Sequence, residues 1–109
     1  MRADAGASMT RRRLPNRRTH EALAFEFRGR SYTTGVGRFP DGSVAEIFID
    51  AEKQSTDAAD DARDAAVALS IAAQHGTPLE AIRAAVTRES DGRPSGIVGA
   101  VLDLLEGAP

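Results

Sequence analysis

The side chains best placed to do chemistry in this sequence are arginines. Arg11, Arg12, Arg13, Arg17 and Arg18 fall within eight residues. Such a run is what nucleic-acid or nucleotide phosphates take hold of, each contact adding to a salt-dependent affinity. It equally fits a solubilising tail, because no aromatic residues are interleaved and no base-reading module follows. Cysteine is absent. The chain therefore makes no disulfide, offers no thiolate to a metal and carries no thiyl or dithiol redox step. His20 and His75 are its two histidines, too few for a histidine-rich metal centre. His75 stands one residue before Gly76, where it suits the negative end of a helix.

Carboxylates offer weaker patterns. Asp57, Asp60, Asp61 and Asp64 gather at a predicted helix start, and residues three or four apart share a helix face. A hard cation is conceivable there, but the positive end of the helix dipole accounts for the cluster more simply, and EF-hand spacing is missing. Glu46 and Asp50 read as one solvated strand face with no nucleophile beside them. Gly35, Gly37 and Gly42 lack phosphate-loop spacing and fall in a hairpin, so they read as turn and bulge glycines. No catalytic residue, cofactor site or metal site is assigned.

These residues sit on a chain of 109 residues, enough for one domain with a modest core. Residues 1–38 hold nine arginines against three acids, a net +6, while residues 39–109 hold five basic and thirteen acidic residues, a net −8. A basic head on an acidic body suits electrostatic docking. Residues 1–13 contain no apolar core of a secretory leader, and no apolar run nears the length of about 20 residues that spans a bilayer. A cytoplasmic protein without membrane contact is expected.

The elements follow from periodicity. Residues 1–13 show none and read as a disordered basic arm, with 14–109 forming a single domain. Residues 21–28 alternate as a strand, with Leu23, Phe25 and Phe27 on one face. Gly29-Arg30 is the predicted hairpin turn. Residues 31–38 form a second strand, Phe39-Pro40-Asp41-Gly42-Ser43 a strong turn, and residues 44–50 a third strand. On that strand Phe48 and Val44 are expected to face away from the helices, beside a shallow hollow at Gly35 and Gly37. A helix follows over about residues 57–75, capped by Thr56 or Asp57, with an alanine stripe in which Leu69 is the large member. Thr77-Pro78-Leu79-Glu80 reads as a capping box opening a second helix to about Arg88. A last helix covers about residues 97–106. The fold class is α+β: a three-stranded antiparallel meander followed by three helices packed on the sheet.

The succession of motifs resembles a known family. It runs from Leu14-Pro15-Asn16-Arg17-Arg18 through Gly37-Arg38-Phe39-Pro40-Asp41-Gly42 and Glu46-Ile47-Phe48-Ile49. It continues with Gln74-His75-Gly76-Thr77-Pro78-Leu79-Glu80-Ala81 and ends on Pro94-Ser95-Gly96. In order and spacing, over about residues 14–105, this resembles the TSCPD domain. That domain is found near the C-terminus of adenosylcobalamin-dependent ribonucleotide reductases and as short stand-alone proteins. The Cys-Pro-Asp part of the family's name is missing, as are the cysteines such reductases use to form and regenerate a thiyl radical. The resemblance implies an association with deoxyribonucleotide supply for DNA synthesis, without reductase activity in this chain. The expected function is a non-catalytic binding or regulatory module acting by protein–protein contact, with a ribonucleotide reductase or as a homo-oligomer. The alternative is a nucleic-acid- or nucleotide-binding accessory using the arginine arm.

Overall fold

The structure, a computed structural model, describes residues 11–14, 19–53 and 56–107, and only the backbone of Thr19 and His20. Three strands, β1 (Thr19–Phe27), β2 (Arg30–Arg38) and β3 (Val44–Ala51), form one sheet in the order β1-β2-β3. Both pairings are antiparallel. Three helices follow: α1 (Asp57–Gln74), α2 (Leu79–Ala85) and α3 (Ile97–Gly107). The expected α+β meander and its trailing helices are thus what the chain forms.

The alternation that marks the strands also builds the core. Tyr32 and Val36 on β2, and Ala45, Ile47, Ile49 and Ala51 on β3, are buried. Ala59, Ala62, Ala66 and Leu69 of α1 are buried as well, and Tyr32, Ile47, Ile49 and Ala51 pack with them and with Val101 and Leu102 of α3. Alanine lets the α1 backbone approach the sheet closely, and Leu69 fills what the alanines leave. Thr56 caps α1, its Oγ1 accepting from the Ala59 N–H at 3.0 Å.

Four local expectations are corrected. The β1–β2 turn is Arg28-Gly29, one residue earlier than predicted, because both residues take positive φ (52° and 75°) as a type I′ turn requires. Arg28 accepts that conformation while its guanidinium donates to the Ser95 carbonyl at 3.2 Å from Nε. Pro78, extended at φ −65° and ψ 124°, occupies the α2 cap position with no side-chain cap bond, so Thr77 does not form the predicted capping box. α2 also stops at Ala85 rather than near Arg88, because Val86 turns extended. The backbone beyond it closes on itself: Arg88 bridges Pro94, Glu89 N–H donates to the Arg93 carbonyl at 2.8 Å, and Ser95 N–H to the Thr87 carbonyl at 3.0 Å.

The fourth correction concerns β3. Gly37 pairs with Glu46 but Arg38 pairs with Val44, leaving Ala45 as the extra residue of a bulge. The bulge turns Val44 towards the helices, where it packs against the core. Phe48 keeps its expected place on the opposite face, 46% exposed.

Candidate functional site

The arginine arm meets the folded body at one end of the sheet. Arg12 N–H donates to the Gln74 carbonyl at 2.8 Å, and the Arg12 guanidinium lies 3.7 Å over the Phe39 ring. Its Nη1 also reaches Asp41 Oδ2 at 3.2 Å. Arg11 Nε donates to Gln74 Oε1. Of the predicted phosphate contacts, Arg11 and Arg12 make bonds within the protein, and all three of Arg11, Arg12 and Arg13 are exposed. Arg17, Arg18 and residues 1–10 lie outside the described residues.

The turn that receives Arg12 is itself well braced. Asp41 Oδ1 accepts from Ser43 Oγ at 2.6 Å and from Ser43 N–H at 2.9 Å. These bonds, with Arg12 beside them, lower the Asp41 pKa to about 2. Arg38 closes the same corner, donating to Glu21 at 3.1 Å and to the Gly42 carbonyl at 2.9 Å. The cleft between this turn and the end of α1 is lined by Arg12, Arg38, Asp41, Gln74, His75 and Thr77, among others. Its charged groups answer one another, so it reads as an anchor for the chain entering β1.

Two polar residues of α1 went unrecognised in the sequence. Ser70 Oγ accepts from the Ile47 N–H at 2.8 Å and donates to the Ile47 carbonyl at 3.0 Å. Gln74, buried, donates from Nε2 to the Ala45 carbonyl at 2.8 Å. β3 is an outer strand, and these side chains satisfy backbone groups that a free edge would present. The signal was present, since Ser70 and Gln74 are spaced i, i+4 on a helix that is otherwise alanine-rich on that side.

The face of the sheet opposite the helices is small and polar. It carries Ala22, Ala24 and Glu26 from β1, Ser31, Thr33 and Gly35 from β2, and Phe48 and Asp50 from β3. The hollow expected at Gly35 and Gly37 is filled. The Phe48 ring lies 3.5 Å from where a Gly35 Cβ would stand, and Glu46 Oε2 lies 2.9 Å from the corresponding Gly37 position. Glu46, expected on a solvated face, is consequently buried against β2, while Asp50 is exposed. The missing Cβ atoms are the reason, because they let both side chains lie flat on the neighbouring backbone.

Away from the sheet, Asp103 of α3 joins two arginines. It accepts from Arg88 Nη2 at 2.7 Å and Nη1 at 2.8 Å, and from Arg83 Nε at 2.8 Å. Arg88 first, then Arg83, hold its carboxyl well below the usual carboxylate range. The group ties α2 and the loop after it to α3. Asp103→Asn should lower stability by about 1–2 kcal/mol at neutral pH. Because the folded pKa is depressed, the contribution is complete above the unfolded value of about 3.9 and fades as pH falls below it. Urea midpoints of wild type and variant should therefore differ at pH 7, and the gap should narrow progressively as pH falls below about 4 towards the depressed folded value; a gap that stays constant throughout that range would contradict the role. Among the described residues, no three His, Cys, Asp or Glu side chains gather as a metal would require, and the α1 aspartates are spread along its start. Among the described residues, no helix is long and apolar enough to cross a membrane.

The site so described is a set of surfaces and edges. Over 73 residues, 67% of the chain, the sequence is 36% identical to a vitamin B12-dependent ribonucleotide reductase of Agrobacterium fabrum (strain C58 / ATCC 33970). The chain spans about 6% of that protein's length. This α+β domain is thus related to one region of a ribonucleotide reductase. No family model matches the sequence, and no solved structure matches it.

Proposed function

We propose that this domain is a non-catalytic binding or regulatory module of the TSCPD type, the kind found near the C-terminus of adenosylcobalamin-dependent ribonucleotide reductases, and that it acts by protein–protein contact. The observation that carries the proposal is a reductase relationship in a chain with no cysteine. Ribonucleotide reduction by a thiyl radical needs a cysteine beside the ribose and further thiols as reductant, and this sequence supplies neither. What remains is a folded body in which, among the described residues, one sheet face is uncovered by helices. The internal engagement of Arg11 and Arg12 weighs against a phosphate-binding arm as the main activity.

The test pairs two measurements. The purified chain, given ribonucleotides with and without adenosylcobalamin, should show no turnover. The immobilised chain should capture a purified vitamin B12-dependent reductase in a saturable manner that persists at moderate salt. Turnover that follows the chain through repurification would overturn the non-catalytic reading. Failure to capture reductase, together with nucleic-acid binding that falls steeply with salt, would replace it by the phosphate-binding alternative.

A further inference from the structure

The two outer strands of the sheet are treated differently by the rest of the fold. In a two-residue hairpin the residues flanking the turn, here Phe27 and Arg30, exchange both backbone hydrogen bonds, and bonded and non-bonded pairs then alternate along the strands. Phe25, Leu23 and Glu21 accordingly bond to β2. Glu26, Ala24 and Ala22 direct their N–H and C=O groups outward. Applied across the sheet, the same alternation sends the Ile47 groups outward from β3, and there they meet Ser70. The β3 edge is thus bulged and capped by α1. On β1, among the described residues, nothing reaches the outward groups of Ala22, Ala24 and Glu26.

β1 also lacks most of the devices that protect an edge, with only Glu21 and Glu26 placing charge along it. Its register with β2 runs unbroken from Thr19 to Phe27, without bulge, proline or lysine. Ala22 and Ala24 are small and exposed, so a neighbouring backbone can approach. On the helix-facing side Leu23, Phe25 and Phe27 are only half-buried. Phe25 stacks on Tyr32, with ring centroids 5.3 Å apart, yet is still only half-buried on this outermost strand.

The geometry points to β1 as a pairing edge for a second copy of this chain, antiparallel about a two-fold axis at Ala24. This rests on the protein-contact reading and names one partner. The strip is self-complementary in that register. Ala24 stands opposite its own mate, Glu26 opposite Ala22, and Leu23 opposite Phe25, so no like charges are directly opposed and the half-buried apolar side chains cover one another. Both helical layers fall on the same side of the resulting sheet. The nine residues of β1 extend about 30 Å, and a sheet edge is about 10 Å thick, which gives about 300 Å² in projection per copy. Over both copies that is below the roughly 1,000 Å² in total that a stable specific interface clears, so the dimer is weak and depends on concentration.

Residue 24 meeting itself makes a charge-swap experiment decisive. Sedimentation velocity on the full chain should show a monomer–dimer equilibrium with the dimer populated at high micromolar protein. Ala24→Glu and Ala24→Lys, both at an exposed position, should keep the wild-type circular dichroism and each weaken dimerisation about ten-fold or more. Mixed in equal amounts, the two variants should recover the dimer mass. A wild-type chain that stays monomeric at those concentrations would overturn the inference, as would variants that dimerise like wild type or a mixture that does not recover. Reductase capture is scored separately on the wild-type chain, so the dimer and the protein-contact reading can fail independently.

Discussion

Leu69→Ala is expected to destabilise the domain by about 2–4 kcal/mol, the cost of removing a large aliphatic side chain from a packed interior. Leu69 is 3% exposed and belongs to the cluster that joins Ile47 and Ile49 of the sheet to Val101 and Leu102 of α3. Its neighbours along the α1 stripe are Ala62 and Ala66, also buried. Alanine has no side chain that can swing into the space Leu69 leaves, so the site collapses poorly and the cavity persists. Chemical denaturation should show a lower midpoint with an unchanged slope. Val67→Ala on the same helix serves as the comparison, since Val67 is 53% exposed and its loss should lie within about 0.5 kcal/mol of neutral. Equal midpoints for Leu69→Ala and wild type would mean that α1 does not seat its Leu69 face on the sheet.

Gly99→Val should cost about 2–3 kcal/mol by overpacking. Gly99 is buried in α3, where a helix interior ordinarily favours almost any residue over glycine. A Cβ there would stand 2.9 Å from Pro94 Cβ and 3.3 Å from Val86 Cγ2. Neither contact is the free end of a flexible side chain: Pro94 is a ring held by its bridge to Arg88, and Val86 leads out of α2. The larger residue must therefore push α3 away from the 86–95 hairpin and strain the Asp103–Arg88 contact with it. Thermal unfolding should show a clear drop, whereas a gain from improved helix propensity would show that the hairpin yields easily. Gly107→Ala, where nothing lies within 4 Å of the added Cβ, isolates the propensity effect near the same helix's end.

Much of the architecture was legible because its causes are local. The alternation Leu23, Phe25, Phe27 and Ala45, Ile47, Ile49 specifies half-buried strands wherever they lie in the chain. The Phe39–Ser43 turn closes through Asp41, as its composition suggests. Thr56 caps α1 because its hydroxyl needs only the N–H three residues on. The absence of cysteine likewise needs no coordinates to exclude thiol chemistry from this chain.

What the tertiary structure decided depends on residues far apart in sequence. Ser70 and Gln74 are polar residues of an alanine-rich helix, and only the placement of α1 along β3 turns them into caps for a strand edge. Glu46 read as solvent-facing until the pairing with β2 set it against a glycine without a Cβ. Arg88 looked like the end of a helix, yet it lies opposite Pro94 in a short antiparallel pairing, and its guanidinium bonds to Asp103 form only once α3 has docked. Periodicity reports which face of an element is apolar, but not which backbone groups a distant side chain will reach. That is why the sequence alone determined the strands and helices, while the difference between a closed β3 edge and an open β1 edge was decided by the folded chain.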